Sequence, residues 1–250
     1  MSGLLEGRIT ARHDWAPGLM TLTIEAEVEP FSPGQFLNLA LQPEGQLVRR
    51  SYSIASAPGA PLQFLLAQVP RGELTPALFA LSEADRVLVE PKPQGFFTLQ
   101  WVPDARQLWM IATGTGLAPY LSMLRADEVW QRFSDLVLVH CVREAAQLAH
   151  AAELAALAAQ HRGQLRVLPV VSREPTAPGV LHGRITSLLS DGELERNAAL
   201  QLSAERSHVM LCGNPAMIDD MLERLEARGL RKHRVRRPGH VTIERYWDAV

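Results

Sequence analysis

Four apolar runs in the second half of the chain constrain the fold more than any other feature. They are "QLWMIAT" (107–113), "LVLVHCV" (136–142), "LRVLPVV" (165–171) and "HVMLC" (208–212). Each reads as a strand buried on both faces. Helical stretches follow three of them: "APYLSMLRADEVW" (118–130), the alanine-rich "AAQLAHAAELAALAAQH" (145–161) and "PAMIDDMLERLEARG" (215–229). Strands joined through helices run parallel, with helices covering both faces of a doubly wound sheet. Such sheets bind ligands outside the C-terminal ends of their strands.

The first half has another rhythm. "GLMTLTIEAEV" (18–28) alternates, and "GQFLNLAL" (34–41), "LQFLLAQV" (62–69) and "DRVLVEPKPQGFFTL" (85–99) are further short strands between Pro and Gly signals. That pattern predicts a closed antiparallel β-barrel. "LTPALFAL" (74–81) interrupts it as a helix, with Thr75 as N-cap and Pro76 at the first helical position. The 250 residues therefore divide into a barrel domain over 1–101 and an α/β domain over 102–250.

Several function classes fall away. Cys141 and Cys212 stand far apart in apolar runs, which leaves no disulfide framework, no metal site of the zinc type and no iron–sulfur cluster. A net charge of −2 argues against nucleic acid as a partner. No signal peptide opens the chain and no apolar run reaches membrane-spanning length, so a cytoplasmic protein with no membrane partner is expected.

Three stretches carry chemistry. "ATGTGLAP" (112–119) lies where a parallel strand meets its helix, and its glycines would let backbone approach a phosphate. Taken alone, a structural turn explains it equally well. "LCGNPAM" (211–217) repeats the arrangement at a later strand end, although a free Cys in that position is more often a buried apolar residue. "RRSYSIASAP" (49–58) is a strand headed by two arginines, which by themselves read as solvated edge residues.

Arg50-Ser51-Tyr52-Ser53, Gly114-Thr115-Gly116, Cys212-Gly213-Asn214-Pro215 and a terminal "HVTIERYW" (240–247) follow one another in that order. Together they resemble the ferredoxin–NADP reductase family, especially the bacterial flavodoxin/ferredoxin reductases, over nearly the whole chain. The resemblance implies an FAD-binding barrel, an NADP-binding α/β domain and a C-terminal tail that returns to the flavin. Noncovalent FAD would lie along Arg50, Ser51, Tyr52 and Ser53. Arg50 would pair with the pyrophosphate, Tyr52 would lie against the isoalloxazine and Ser53 would stand near its reactive nitrogen. Leu65, Leu66, Ala67 and Gln68 form a second flavin-contacting strand, and Glu73, Leu74 and Thr75 open the short helix onto the pyrophosphate.

Thr115, Tyr246 and Trp247 complete the implied flavin site. Tyr246 would cover the flavin face opposite Tyr52, and Trp247 the adenine end. Asp248-Ala249-Val250 extends beyond the point where many relatives stop. For NADP(H) as substrate the resemblance implies Gly114, Gly116, Cys212, Gly213, Asn214 and Pro215. Arg143, Arg173 and Arg184 each read alone as surface charges; converging, they would hold a ribose 2′-phosphate and favour NADPH. Ser53, Cys212 and Glu244 are the candidate catalytic residues around hydride transfer. The basic run "RGLRKHRVRRPGH" (228–240) reads as a solvated helix end, or by resemblance as a docking surface for an acidic flavodoxin or ferredoxin. A monomer is expected. An oxygenase reductase or flavin reductase, and a non-catalytic nucleotide-binding regulator, remain the alternative functions.

Overall fold

The computed structural model of the chain describes residues 3–246, which form two compact units. The first comprises the chain up to Leu99 together with Ala118–Asp127; the second comprises Gln100–Leu117 and the chain from Glu128.

The first unit is a six-stranded antiparallel sheet. Its strands are β1 (Leu5–Ala16), β2 (Leu19–Glu25), β3 (Phe36–Leu41), β4 (Val48–Ser53), β5 (Leu62–Ala67) and β6 (Arg86–Val89), in the order β4-β3-β6-β1-β2-β5. The two end strands curl towards each other, and just past β4 the Ala55 N–H donates to the Gln63 carbonyl of β5 at 2.8 Å. Alternate side chains fill the interior: Ile9, Met20, Leu22, Ile24, Leu37, Leu39, Phe64 and Leu66 are fully buried.

Strand β1 has no counterpart among the strands expected from the sequence. Gly7 and Ile9 are its only fully inward positions, and two register shifts break its pairing with β2. A Cβ on Gly7 would sit 2.7 Å from the Ile24 side chain, so an apolar signal there is sterically barred. The strand expected over 85–99 ends at Val89, because Pro91 and Pro93 cannot donate to a ladder.

Helix α1 (Thr75–Phe79) begins at Thr75, not after it. Leu74 holds the cap position without a side-chain bond. The Thr75 hydroxyl instead accepts from the Val69 N–H (2.9 Å) and donates to the Val69 carbonyl (3.2 Å), pinning the preceding loop. Pro76 is therefore the second helical residue.

The single helix expected over 118–130 is two: α2 (Ala118–Leu124) and α3 (Asp127–Arg132). Helix α2 belongs to the first unit. Its Ser122 hydroxyl donates to the Ser56 carbonyl (2.7 Å), while Arg125 donates to the Ala55 carbonyl and Gln63 Oε1 at 2.8 Å each.

The second unit is a parallel sheet of β7 (Gln107–Thr113), β8 (Asp135–Val142), β9 (Leu165–Val171), β10 (Leu181–His182), β11 (Ser207–Gly213) and β12 (Val241–Arg245). Their order is β10-β9-β8-β7-β11-β12. The chain builds outward from β7 in one direction and then resumes on its other side with β11. The crevice at the ends of β7 and β11 is thus the topological switch point. Around the sheet lie α4 (Ala151–Gln160), α5 (Ile185–Ser190), α6 (Glu193–Ala198) and α7 (Pro215–Ala227). The helix expected over 145–161 is interrupted at His150, whose φ of 59° places it in the left-handed region. Among the described residues no helix is long and apolar enough to cross a membrane.

Two histidines in this sheet titrate abnormally. Burial lowers His140 to about 4 despite its bond to Gly114, with His150 adding a little. Burial lowers His208 to about 3, helped by His233, His240 and Arg132. An unfolded chain would protonate both near 6.5, whereas the folded chain waits until those lower values, so protons favour unfolding throughout the interval. The thermal midpoint should accordingly fall steeply from pH 6.5 towards 4, a loss on the order of several kcal/mol. A midpoint that stays level across that range in calorimetry would contradict the burial of these neutral rings.

Candidate functional site

In the first unit the site expectations centre on β4, an end strand whose outer edge is free of ladder pairing. Antiparallel pairing sets Arg50 opposite Leu39, Ser51 opposite Asn38, Tyr52 opposite Leu37 and Ser53 opposite Phe36. Arg50 and Ser51 are exposed, Tyr52 is half-buried and Ser53 is buried. Ser51 donates to Asn38 Oδ1 at 2.7 Å, and the Asn38 amide in turn donates to Glu90. Burial pushes the Tyr52 phenol up to about 12, with Arg50 pulling it slightly back, so the ring is a neutral, flat, partly covered surface.

The Arg50 guanidinium holds an anion. One nitrogen donates to the Arg49 carbonyl at 2.8 Å and another to the Glu73 carboxylate at 2.5 Å. Two residues assigned separately by resemblance are therefore brought together. The same assignment meets different circumstances elsewhere. Leu66 and Leu74 point into the barrel core and Leu65 is buried, whereas Ala67 and Gln68 are exposed. Thr75 is occupied with Val69, and α1 is a single short turn with little dipole to offer.

In the second unit the two glycine turns interlock. A Cβ on Gly116 would collide with the Cys212 carbonyl. Gly213 has φ 128°, and a Cβ there would strike the Thr113 hydroxyl and lie 2.8 Å from the Thr113 carbonyl oxygen. The Thr113 hydroxyl also accepts from the Asn214 N–H at 2.8 Å. Asn214 then caps α7, its side-chain oxygen accepting from Met217 N–H at 3.2 Å, with Pro215 opening the helix. These glycines are demanded first by the packing of one turn on the other. Gly114, at φ 54° with open space around it, has its carbonyl held by His140 Nε2 at 3.0 Å.

Cys212 faces Ala112 on one side and Glu244 on the other in the strand register. Burial, then the nearby Glu244, raises its thiol well above the ordinary value, while a hydrogen bond with Tyr246 holds it partly back. It is a neutral thiol, not a nucleophile. The Tyr246 hydroxyl donates to the Thr115 carbonyl at 2.6 Å, and its N–H to the Gly213 carbonyl at 3.4 Å. Thr115, Cys212, Glu244 and Tyr246 thus form one cluster at the switch point. Trp247 and the extension Asp248-Ala249-Val250 lie outside the described residues.

Arg143, Arg173 and Arg184 follow three neighbouring strands, β8, β9 and β10. The Arg173 N–H donates to the Arg143 carbonyl at 2.9 Å, fixing those two side by side. Arg184 precedes α5 in extended conformation. All three are exposed, and no ion pair among the described residues engages their guanidiniums. The nearby Glu174 carboxylate is committed instead to the Ala145 N–H at 2.5 Å.

The basic run is more ordered than a solvated helix end. Arg228 is removed from it by a two-pronged bond to Glu195 (3.0 and 2.7 Å). Arg234 and Arg237 close a tight hairpin through reciprocal backbone bonds of 3.1 and 2.8 Å. His233 Nδ1 accepts from Gly239 N–H and His240 Nδ1 from Arg231 N–H, bracing its base. Arg234, Val235, Arg236 and Arg237 are left exposed at the tip. Sequence reasoning missed Thr113, Asn38 and His140, because their contribution is a hydrogen bond to a loop distant in sequence.

The family model of the oxidoreductase NAD-binding domain matches residues 110–223. The flavodoxin/ferredoxin–NADP reductase of Escherichia coli K12 is 46% identical over 249 residues, covering 99% of this chain and all of the relative. The ferredoxin–NADP reductase of Pseudomonas aeruginosa is 32% identical, covering 98% of each. Among solved structures, a ferredoxin NADP+ reductase from Neisseria gonorrhoeae with bound FAD and NADP superposes with a TM-score of 0.93 at 31% identity, covering 99% of this chain and 100% of that one.

Proposed function

The chain belongs to the bacterial flavodoxin/ferredoxin–NADP reductase family, and on that premise we propose that it is an FAD-dependent enzyme moving electrons between NADPH and a flavodoxin or ferredoxin. One observation carries the reading: the likeness to these reductases runs through both units, the antiparallel barrel as well as the nucleotide sheet.

The residues present fit the two nucleotides. Arg50 pairs with the Glu73 carboxylate, which supports a role in holding an anion, and Tyr52 offers a flat neutral surface two residues on. Bound FAD supplies the capacity to take an electron pair as hydride and return electrons singly. In this proposal Arg50 and the backbone of residues 73–75 anchor the pyrophosphate, Tyr52 positions the ring system, and Ser53 brings a buried hydroxyl to the strand end. Ser51 and the backbone of residues 65–68 complete the flavin contacts. The interlocked turns around Gly114, Gly116, Gly213 and Asn214 hold the NADPH pyrophosphate. Arg143 and Arg173, with Arg184 beside them, take the 2′-phosphate. Cys212 and Glu244, neighbours in the strand register, would flank the nicotinamide. A cytoplasmic setting suits buried free thiols.

The exposed Arg234, Arg236 and Arg237 are proposed to dock an acidic carrier. Exposed charges are screened over a Debye length of about 8 Å at physiological ionic strength, so carrier reduction should fall as salt rises. Neutralising the three arginines should slow carrier reduction while leaving NADPH-dependent reduction of a small ferric chelate intact. Equal losses in both assays would show that the hairpin serves folding instead.

A further inference from the structure

We infer that Glu73 is the counter-ion which the FAD diphosphate must displace from Arg50, and that Glu73 thereby sets how tightly the chain holds its flavin. The inference rests on the flavin-site reading above and deepens it. By position Glu73 belongs to the cofactor site, yet an ionised carboxylate has no hydrogen to give a phosphate oxygen. Beside a diphosphate it only repels.

The geometry assigns it another role. The Arg50 fork is divided, with one nitrogen on the Arg49 carbonyl at 2.8 Å and another on Glu73 at 2.5 Å. A two-pronged grip on a phosphate needs that second nitrogen released. Both partners are more than half exposed, at 56% for Arg50 and 66% for Glu73, and exposed pairs hold each other weakly. A diphosphate carries more charge than a carboxylate and wins the exchange. Glu73 thus engages the anchoring arginine as a substitute anion, and flavin binding is the looser for it.

The test uses flavin-stripped full-length protein titrated with FAD and followed by flavin fluorescence. Glu73→Gln, which preserves shape, should lower the dissociation constant about three- to fivefold. That gain should vanish when Arg50→Ala is combined with it, since the two residues act as a pair. Glu6→Gln serves as a charge control, because Glu6 forms a comparable exposed pair with Arg86 (2.8 Å) in the same unit; it should leave affinity within twofold. Weaker binding by Glu73→Gln would overturn the inference and make Glu73 a support that presents Arg50 to the phosphate. A gain that persists without Arg50 would overturn it as well, leaving only a diffuse charge effect. If the unaltered protein fails to take up FAD at all, the flavin-site reading itself is wrong and the inference falls with it.

Discussion

Gly213→Ala should abolish useful NADPH binding while the flavin stays in place. The residue sits at φ 128°, in a region that L side chains rarely adopt, and the added methyl would meet the Thr113 hydroxyl and backbone at once. Neither obstacle is the yielding end of a long side chain. Left-handed strain alone costs about 1–3 kcal/mol, and relieving the collision means parting the turns after β7 and β11. Parting them also breaks the Asn214 bond to Thr113, which positions the cap of α7. A combined loss of roughly 3–4 kcal/mol corresponds to about a 10²- to 10³-fold rise in the NADPH Michaelis constant. Steady-state kinetics together with the flavin content of the purified variant checks this. A Michaelis constant within threefold of the unaltered protein would show that the turns tolerate separation, or that NADPH binds elsewhere.

Arg143→Ala combined with Arg173→Ala should erase the preference for NADPH over NADH. The backbone bond between these residues fixes them at adjacent strand ends, and neither guanidinium is committed to a carboxylate among the described residues. Each would contribute a charge-assisted contact of about 1.5–3 kcal/mol to a 2′-phosphate, and nothing comparable to NADH. The double variant should therefore lose roughly 100-fold or more in kcat/KM for NADPH, with little change for NADH. Parallel losses for both nucleotides would mean that these arginines do not read the phosphate.

The parallel sheet was legible because its strands are buried on both faces and carry continuous apolar runs. Strand β1 was not, since Gly7 and Ile9 are its only fully inward positions and two register shifts disturb its alternation. The break between α2 and α3 coincides with Arg125, whose side chain reaches carbonyl and amide groups more than 60 positions earlier in the chain, a partnership no local pattern records. At His150 a non-glycine residue adopts a left-handed angle inside a stretch of strong helix formers, so propensity pointed the wrong way. Motif order located the candidate residues better than it explained them. Gly116 read as a phosphate-approach glycine, whereas its first constraint is the close packing of its turn on the Cys212 carbonyl; Gly213, read as a residue permitting an unusual backbone angle, has φ 128°. Glu73 read as a cofactor contact by position, but its partner Arg50 lies on another strand and emerges only from the fold.

In the proposed reaction one chain takes electrons from NADPH through bound FAD and delivers them to a small protein carrier. Anaerobic addition of NADPH to the purified flavin-loaded protein, followed by oxidised flavodoxin, tests it in a single cuvette. The flavin absorbance should bleach on adding NADPH, and flavodoxin reduction should then continue at the expense of further NADPH. A protein that carries no flavin after supplementation with FAD, or whose flavin stays oxidised in excess NADPH, would contradict it.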